Sequence, residues 1–370
     1  MNHSKYNTEK IRITVLCPSN IKRGGLLLFY SLFPLLRKKH KSAEFDFTDS
    51  LDYCLEKDKN EHILIVRMLE NNYKFNDINT TEILSLLRKK YERVTLFDDG
   101  ARASIDFPQA LPLVDIYFHC QVYKDRTLYT KPLHRGQLYS DYFFKKGIQN
   151  NDDYYSVPVE EEHLNKIKVA WNIGAGCYPR IDWLRRAGLL ASGLTRPSVV
   201  SLFYTDPSKS KPPKNREIYD IQARFSIQNE PTIAKQRVRV LEELSGNKSV
   251  LTGMTSQKQF KKEIRNSKIV VSPFGWGEVC FRDFEAILNG ALLLKPSMDH
   301  LETWPDIYVP DGTYISFRWD AEDLNEKIDM ILADDEKRRE ISKNAFSMYM
   351  KSLNELDERV EKMVDLIIGQ

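Results

Sequence analysis

The 370-residue sequence lacks the features that mark several classes of protein. Its 55 basic and 52 acidic residues leave a formal charge of +3, too little for a protein whose main task is to wrap nucleic acid. The polar start MNHSKYNTEKIR has no apolar core of a signal peptide, which predicts that the protein is not secreted. No apolar run reaches the roughly 20 residues that span a bilayer.

The five cysteines are odd in number, scattered and never spaced as Cys-x-x-Cys. This pattern argues against a structural zinc site and predicts a reducing, cytoplasmic compartment. The longest apolar stretch, residues 24–36, is followed by the basic cluster RKKHK. Two interpretations of it stay open: a core helix with a solvated end, or a peripheral helix on the inner face of an anionic membrane.

Short β-branched runs alternate with amphipathic stretches along the first half of the sequence. The predicted strands are residues 11–16, 62–68, 94–97, 115–122 and 167–173, and the predicted helices are residues 26–38 and 79–92. Such alternation is typical of a parallel sheet covered by helices.

Glycines and prolines loosen the pattern between residues 174 and 197, after which the alternation restarts. The predicted strands of the second half are residues 198–204, 249–251, 268–271 and 291–294, and the predicted helices are 230–244, 257–266, 281–289, 321–333 and 335–368. The fold class is therefore α/β, with two doubly wound, Rossmann-like domains facing each other across a cleft. We expect an N-terminal domain at 1–180, a C-terminal domain at 190–353, and a terminal helix at 354–370 that packs back on the N-terminal domain.

The most informative segment runs from Ser272 to Pro296. A buried strand ends at Val271, a loop with two glycines follows, and a helix begins near Phe281. Glycines let the backbone approach a ligand closely, and a helix N-terminus offers unpaired N–H groups and a positive dipole end. This turn is therefore a candidate diphosphate site.

Two charged residues on the predicted helix, Arg282 and Glu285, share one face because they lie three positions apart. A glutamate in this position can accept both hydroxyls of a ribose, and an arginine can neutralise phosphate. The alternative is an ordinary surface ion pair.

The segment resembles the C-terminal donor domain of the GT-B glycosyltransferases, in particular the group-1 and exostosin-like branches. Their shared core, R-x-x-E-A…G-x-x-x-L, matches Arg282, Glu285, Ala286 and Gly290, followed by Leu292 to Leu294. The resemblance implies that Glu285 holds the ribose of a nucleotide. It also implies that the preceding loop, with Phe274, Gly275, Trp276 and Gly277, approaches the diphosphate and sugar of the donor.

The resemblance implies a glycosyltransferase that moves a sugar from UDP or GDP to a hydroxyl of a carbohydrate or lipid-linked glycan, in the assembly of a cell-surface polysaccharide, lipopolysaccharide or glycolipid. It implies no cofactor and no metal. Two other functions stay open on the same fold: a glycan- or nucleotide-binding protein without transfer activity, and a sugar-nucleotide epimerase.

Two carboxylates are candidates for catalysis. Asp99 follows a strand at the cleft edge, where an inverting enzyme needs a base for the acceptor hydroxyl. Glu278 is the candidate if the enzyme retains configuration, although it lies seven positions before Glu285 and many relatives have two glutamates eight apart.

Other residues are weaker candidates. Gly25 belongs to a glycine-bearing loop after the first strand, and Trp276 has the setting of a residue that stacks on a sugar or base. His119 and His134 are either structural or basic catalysts, and the loop with Lys209, Lys211, Lys214 and Arg216 either closes over phosphates or is a solvated basic loop.

Overall fold

Apolar, β-branched runs form the strands of two parallel sheets, as their composition predicts. The computed structural model describes residues 10–17, 32–35, 43–56, 60–66, 80–149, 153–176, 178–179, 204–227, 231–246 and 249–370. None of the helices in these ranges combines the length and apolar character that a bilayer-spanning helix needs.

The N-terminal sheet has six parallel strands in the order β2-β1-β3-β4-β5-β7. Their bounds are Ile11–Leu16 (β1), Ala43–Thr48 (β2), Asn60–Val66 (β3), Tyr91–Asp98 (β4), Ile116–His119 (β5) and Ile167–Val169 (β7), while β6 is Gln121–Tyr123. Successive residues of β3 enter different apolar clusters, Ile63 and Ile65 on one face and Leu64 and Val66 on the other. The sheet is therefore buried on both faces, as parallel sheets are.

Helices cover both faces of this sheet. The helices of this part of the chain are Leu51–Glu56 (α1), Thr80–Lys90 (α2) and Leu138–Lys145 (α3). Leu51 of α1 and Leu84 of α2 join the cluster that contains Ile63. A helical turn at residues 32–35 joins the opposite cluster through Leu32 and Leu35.

Within the described residues, the C-terminal sheet has five parallel strands in the order β11-β10-β12-β13-β15. The remaining strands of the chain are Tyr178–Pro179 (β8), Tyr204–Thr205 (β9), Tyr219–Ala223 (β10), Val250–Thr252 (β11), Ser267–Val271 (β12), Leu292–Pro296 (β13), Leu301–Thr303 (β14) and Ile315–Phe317 (β15). The chain runs from β10 to its neighbour on one side and then to β12 on the other. The strand order thus reverses between β10 and β12, which is where doubly wound sheets bind ligands.

Six helices accompany the C-terminal sheet: Pro231–Leu244 (α4), Gln257–Ile264 (α5), Phe281–Leu288 (α6), Leu324–Leu332 (α7), Asp335–Asn354 (α8) and Leu356–Ile368 (α9). Val240 of α4 and Ile328 of α7 pack on one face of the sheet, and Phe284 of α6 and Tyr349 of α8 pack on the other. Both faces are again covered.

The terminal helix α9 leaves the C-terminal domain and packs on the N-terminal sheet. Its apolar stripe, which includes Val360 and Val364, joins the cluster of Leu64 and Val66. Arg93 of β4 donates to the carbonyl of Ile367 over 2.7 Å, which fixes the end of the helix. The chain thus closes on the domain in which it began.

A second link between the domains is an antiparallel pair of strands. β14 of the C-terminal half pairs with β6 of the N-terminal half, with Leu301 opposite Tyr123. One apolar cluster also runs from Ile63 in the N-terminal sheet to Leu293 in the C-terminal sheet. The two sheets therefore share a continuous core.

Several sequence-based expectations need correction. The strand predicted at 198–204 falls outside the described residues except for Tyr204, which belongs to β9 and pairs antiparallel with β8. The strands β2, β10, β14 and β15 were not predicted. The predicted helix at 335–368 is two helices that meet at Glu355.

Candidate active site

The candidate site lies where the strand order of the C-terminal sheet reverses. β12 ends at Val271, and the loop that leads to α6 begins at Ser272. The neighbouring strand β10 ends at Ala223, and the loop after it carries Phe225. The guanidinium carbon of Arg282 lies 5.6 Å from the centre of the Phe225 ring, so the two loops meet at the start of α6.

Three successive carbonyl groups of the loop are held by hydrogen bonds. Arg237 of α4 donates to Phe274 O over 2.6 Å, Tyr139 of α3 donates to Gly275 O over 2.5 Å, and Gln137 donates to Trp276 O over 2.6 Å. Two of these three donors belong to the N-terminal domain. The loop is therefore positioned by both domains at once.

The amide groups of the same loop are arranged differently from its carbonyls. Among the described residues, the N–H groups of Trp276, Gly277 and Glu278 meet no acceptor. Successive unpaired N–H groups ahead of a helix N-terminus form a concavity that attracts anions. This is the arrangement expected of a diphosphate site.

Gly277 is the point of closest approach between the domains. A β-carbon added at this residue would lie 1.5 Å from the carbonyl oxygen of Ala101, which belongs to the loop after β4. Only glycine lets the two backbones come this close. The loop that carries Asp99 and the loop that carries Glu278 are thus in direct contact.

A buried ion pair fixes the start of α6. Asp283 accepts hydrogen bonds from Ser272 Oγ over 2.5 Å, from the backbone of Cys280 over 3.0 Å and from Tyr308 over 2.8 Å. The ammonium group of Lys295 lies 3.1 Å from the same carboxylate, and both side chains are fully buried. Sequence reasoning missed this pair, although both residues are in the segment that it singled out.

Among the described residues, no hydrogen bond or ion pair joins Arg282 to Glu285, in contrast to the surface-pair alternative. Both are half-buried; Arg282 donates to Ser272 Oγ over 3.5 Å, and its Nε has no partner among the described residues. Burial raises the pKa of Glu285 above its ordinary value, and the positive charges of Arg282 and Lys261 oppose that shift. The two side chains thus interact through their charges without a direct hydrogen bond.

Glu278 lies fully buried at the junction of the domains. Neither of its carboxylate oxygens has a hydrogen-bond partner among the described residues. His300 Nε2 lies 3.9 Å from Glu278 Oε1, which is too long for a hydrogen bond. Tyr123 and His300, whose rings lie 6.3 Å apart, also hold buried polar atoms without partners.

The loop after β4 is built around Asp98. This carboxylate accepts hydrogen bonds from the backbone of Gly100 and Asp106 and from Tyr117 over 2.6 Å. Asp98 is therefore saturated, whereas the neighbouring Asp99 is half-buried in the same loop, two residues before the contact with Gly277. Asp98 therefore shapes the loop, and the role of Asp99 as a base stays a prediction.

His119 supports the same loop and is not a free base. Its Nδ1 lies 2.8 Å from the carbonyl of Asp98 and its Nε2 lies 2.6 Å from the carbonyl of Arg102. Both contacts are to carbonyl oxygens, which can only accept, so they stabilise the doubly protonated ring. Burial opposes this charge, but the Asp98 carboxylate and the carbonyls outweigh it and raise the pKa of His119.

His134 is also structural, because its ring nitrogens contact Ser140 Oγ at 3.0 Å and Asp153 at 2.8 Å. Gly25, predicted to belong to a ligand-binding loop, lies outside the described residues. Lys214 and Arg216 of the predicted basic loop line a groove of about 860 Å³ beside α5. They precede β10 and therefore lie at the amino ends of the parallel strands, whereas the loop at Ser272 lies at the carboxyl end of β12.

One group of described residues has the spacing of metal ligands, namely Glu160, Glu162 and His163, whose ligand atoms lie within 4.8 Å of one another. Both glutamates are exposed. They belong to the surface around the 3-10 helix Glu161–Lys166 and not to the loops described above.

Comparison with known proteins gives a family match over part of the chain. Residues 234–365, about a third of the sequence, match a family model described as glycosyl transferase-like. The matched range contains the loop at Ser272, the whole of α6 and the buried pair of Asp283 and Lys295. It ends within α9.

The chain is similar to several solved structures at low identity. A pneumococcal O-GlcNAc transferase, GtfA, in complex with UDP and GlcNAc is 9% identical, with a TM-score of 0.45 over 86% of this chain and 60% of that one. HepE of Anabaena in complex with UDP-glucose is 12% identical, with a TM-score of 0.43 over 96% and 99%. BGT of phage T4 with UDP-glucose is 14% identical, with a TM-score of 0.43 over 97% and 99%. A search of curated sequences finds no significant match.

Proposed function

We propose that this glycosyltransferase moves a sugar from a nucleoside diphosphate, UDP or GDP, to a hydroxyl group of a carbohydrate or lipid-linked glycan, in cell-surface glycan assembly. The observation that carries the proposal is the pair of Arg282 and Glu285 at the reversal of the strand order, half-buried and not bonded to each other. Groups held in this way are available to a ligand.

The donor is bound on the C-terminal side of the cleft. Glu285 accepts the hydroxyl groups of the ribose, and its half-buried setting strengthens such hydrogen bonds. Arg282 and the unpaired amides of Trp276, Gly277 and Glu278 hold the diphosphate. Negative charge builds up on the diphosphate as the glycosidic bond breaks, so these donors stabilise the transition state more than the ground state.

The acceptor approaches from the N-terminal side. Asp99 lies in the loop that touches Gly277, next to the site proposed for the sugar of the donor. In an inverting reaction Asp99 takes the proton of the attacking hydroxyl. In a retaining reaction this base is not needed, and Glu278 is the carboxylate close to the donor.

The reaction needs no metal in this proposal, because Arg282 and the loop amides supply the positive potential that a metal would supply. We place it in the cytoplasm, because the five cysteines are odd in number and scattered along the sequence. The segment on which peripheral membrane association would depend, residues 24–41, lies mostly outside the described residues.

The first test is a thermal-shift screen against UDP, GDP, CMP and their sugars, followed by assay of nucleotide release. A donor that binds the folded protein raises its melting temperature by mass action. We expect UDP or GDP sugars to do so, and nucleotide release to need an acceptor glycan. Binding without release would indicate a binding protein, and interconversion of donor sugars without acceptor would indicate an epimerase. Either result would overturn the proposal.

A further inference from the structure

A groove on the surface of the C-terminal domain carries a concentration of positive charge. It lies along α5 and the segment that precedes β10, and its volume of about 860 Å³ is within the range of about 300–1,000 Å³ of ligand sites. Its lining among the described residues is Lys214, Arg216, Ser256, Lys258, Gln259, Lys261, Lys262, Arg265 and Asn266. Six of these nine residues are cationic and exposed, and none of the nine is acidic or apolar.

Helical spacing places four of the cations along one side of α5. Positions i, i+3, i+4 and i+7 of this side are Lys258, Lys261, Lys262 and Arg265. Because a helix rises 1.5 Å per residue, these side chains form a row about 10 Å long. Two further charges come from the segment before β10. Such a row matches a chain with several negative groups better than it matches a single anion.

The six cations have no counter-charge within the described residues. None of their side chains takes part there in an ion pair or a hydrogen bond. The acidic residues that neighbour the groove in sequence already hold other cations: Glu217 pairs with Arg338, Glu263 with Arg224 and Asp220 with Lys268. The whole chain has a formal charge of only +3, so six unpaired charges in one groove are a local concentration. A concentration of this kind attracts a polyanion.

The stability of α5 accounts for only part of this charge. Lys261 and Lys262 lie in the last turn of the helix, where cations complement the negative end of its dipole. Lys258 lies in the first turn, where the dipole disfavours a cation, and Lys214 and Arg216 are outside any helix. These three charges are better explained by a ligand than by the fold.

The lining favours a glycan over nucleic acid, lipid or inorganic polyphosphate. The described part of it has no aromatic side chain to stack on bases and no apolar side chain to enter a bilayer. Gln259 donates through its amide nitrogen to Glu263 over 3.0 Å. Asn266 donates in the same way to the carbonyl of Lys262 over 2.6 Å. The amide oxygens of both residues remain as acceptors, to which sugar hydroxyls can donate and the ionised groups of a polyphosphate cannot.

We propose that this groove binds an anionic polysaccharide, a linear glycan with a carboxylate or a phosphate ester on its repeating units. The acidic groups pair with the row of cations on α5, and hydroxyl groups donate to Gln259 and Asn266. The inference goes beyond the proposed function, because the groove holds the glycan away from the site of transfer. Lys214 and Arg216 precede the amino end of β10, whereas the loop at Ser272 follows the carboxyl end of the parallel strand β12.

Titration of the full chain with three forms of one glycan tests the charge preference: dextran, carboxymethyl dextran and phosphorylated dextran of equal chain length. We expect at least one acidic form to bind about tenfold more tightly than dextran, because several exposed ion pairs add up, and its affinity to fall as salt screens them. The acidic form that binds more tightly identifies the anionic group. Equal affinity for all three forms, or no binding of any, overturns the inference.

The same titration with inorganic polyphosphate, duplex DNA and vesicles of phosphatidylcholine with phosphatidylserine tests the competing partners. All three are anionic, but none combines its charges with a chain of sugar hydroxyls. We expect the acidic dextran to bind more tightly than each of them at equal concentration of negative charge. Tighter binding of polyphosphate, DNA or vesicles assigns the groove to that partner and overturns the inference.

A double variant, Lys258→Gln with Lys262→Gln, removes two charges from the groove. We expect it to bind the preferred acidic dextran about fivefold more weakly, since each exposed ion pair contributes a modest free energy. Lys131→Gln with Lys343→Gln is the matched control, because it removes two exposed lysines that do not line the groove and gives the same net charge. Unchanged affinity in the groove variant, or an equal loss in the control, overturns the inference.

Nucleotide affinity, titrated without any glycan, separates this inference from the proposed function. Lys261 is left unchanged in the groove variant because its positive charge acts on Glu285. We expect the groove variant to bind the donor nucleotide as the wild type does. A loss of nucleotide affinity would assign the groove to the donor site and overturn the inference, while leaving glycosyl transfer intact. Failure of the wild-type protein to bind any nucleotide or nucleotide sugar would overturn the proposed function instead.

Discussion

Two carboxylates within five residues of each other, Glu278 and Asp283, are both fully buried but have opposite surroundings. Asp283 receives three hydrogen bonds and lies 3.1 Å from the ammonium of Lys295. Glu278 has no hydrogen bond within the described structure. A buried charge is tolerated when it is bonded and is costly when it is not. We infer that Asp283 stabilises the fold, and that Glu278 is placed for binding or catalysis at a cost in stability.

The loop after β4 also contains a carboxylate that is held by several hydrogen bonds, next to a second acidic residue. Asp98 accepts three hydrogen bonds and lies beside the imidazolium of His119, whereas Asp99 follows it at the surface of the contact with the C-terminal domain. In both loops one acidic residue stabilises the backbone conformation through hydrogen bonds, and a nearby one lies where the two domains meet. Substitutions at the two kinds of carboxylate should therefore differ in their effects on stability and turnover.

The largest effect is expected for Lys295→Met. The substitution leaves Asp283 buried without its cation, so the free energy of unfolding should fall by about 3–5 kcal/mol. Urea denaturation measures the change. The matched control is Lys268→Met on β12, whose pair with Asp220 is partly exposed and should contribute less than about 1 kcal/mol. Equal losses in the two variants would contradict the role given to Asp283.

Gly277→Ala should have the next largest effect. The added methyl group meets the carbonyl of Ala101, so the two loops must move apart. We expect a loss of about 1–3 kcal/mol in the free energy of unfolding and about 100-fold in turnover, because the reacting groups are displaced. Gly246→Ala, with no atom within 4 Å of the added carbon, is the control. Normal turnover in Gly277→Ala would show that the contact is not needed.

His119 gives the loop after β4 a pH dependence. Because its pKa is raised in the folded protein, its contribution to stability is fully present below the ordinary pKa of about 6.5 and is lost as the pH rises through the raised value. The slope approaches about 1.4 kcal/mol per pH unit where only the folded state is protonated. In the wild type, the urea concentration at the midpoint of denaturation should decline as the pH rises from about 6.5 towards the raised pKa. The same decline in His119→Gln would contradict the assignment.

The smallest change in stability is expected for Glu278→Gln. A neutral amide in place of a buried, unbonded carboxylate should leave the free energy of unfolding within about 1 kcal/mol or raise it. Turnover should fall if Glu278 acts near the donor sugar. Glu263→Gln is the matched control, because Glu263 is buried and paired with Arg224, and it should destabilise. A large loss of stability in Glu278→Gln would remove the contrast with Asp283.

Local sequence signals predicted the parts of the fold that depend on local chemistry. The strands β3 and β12 and the helix α6 were predicted near their true bounds. A strand that is buried on both faces has a continuous apolar run, and a helix that is buried on one face has apolar residues at helical spacing. β10 was missed because its sequence, YDIQA, alternates polar and apolar residues and begins half-exposed. The pairing of β6 with β14 joins residues about 180 positions apart, which no local pattern records.

The candidate site shows the same limit. Arg282 and Glu285 could be found because a helical period places them on one face. The residues that position their loop, Arg237, Tyr139 and Gln137, come from other helices, and two of them come from the other domain. Their role depends on how the domains meet, and only the structure contains that information.

The most direct test of the account is the affinity of Glu285→Ala for the nucleotide of the donor, measured by calorimetric titration beside the wild type. Glu340→Ala, an exposed glutamate on α8, is the control. We predict that Glu285→Ala binds the nucleotide at least about tenfold more weakly, because hydrogen bonds to a carboxylate are lost, and that the control binds as the wild type does. Unchanged nucleotide affinity and turnover in Glu285→Ala would contradict the proposed donor site.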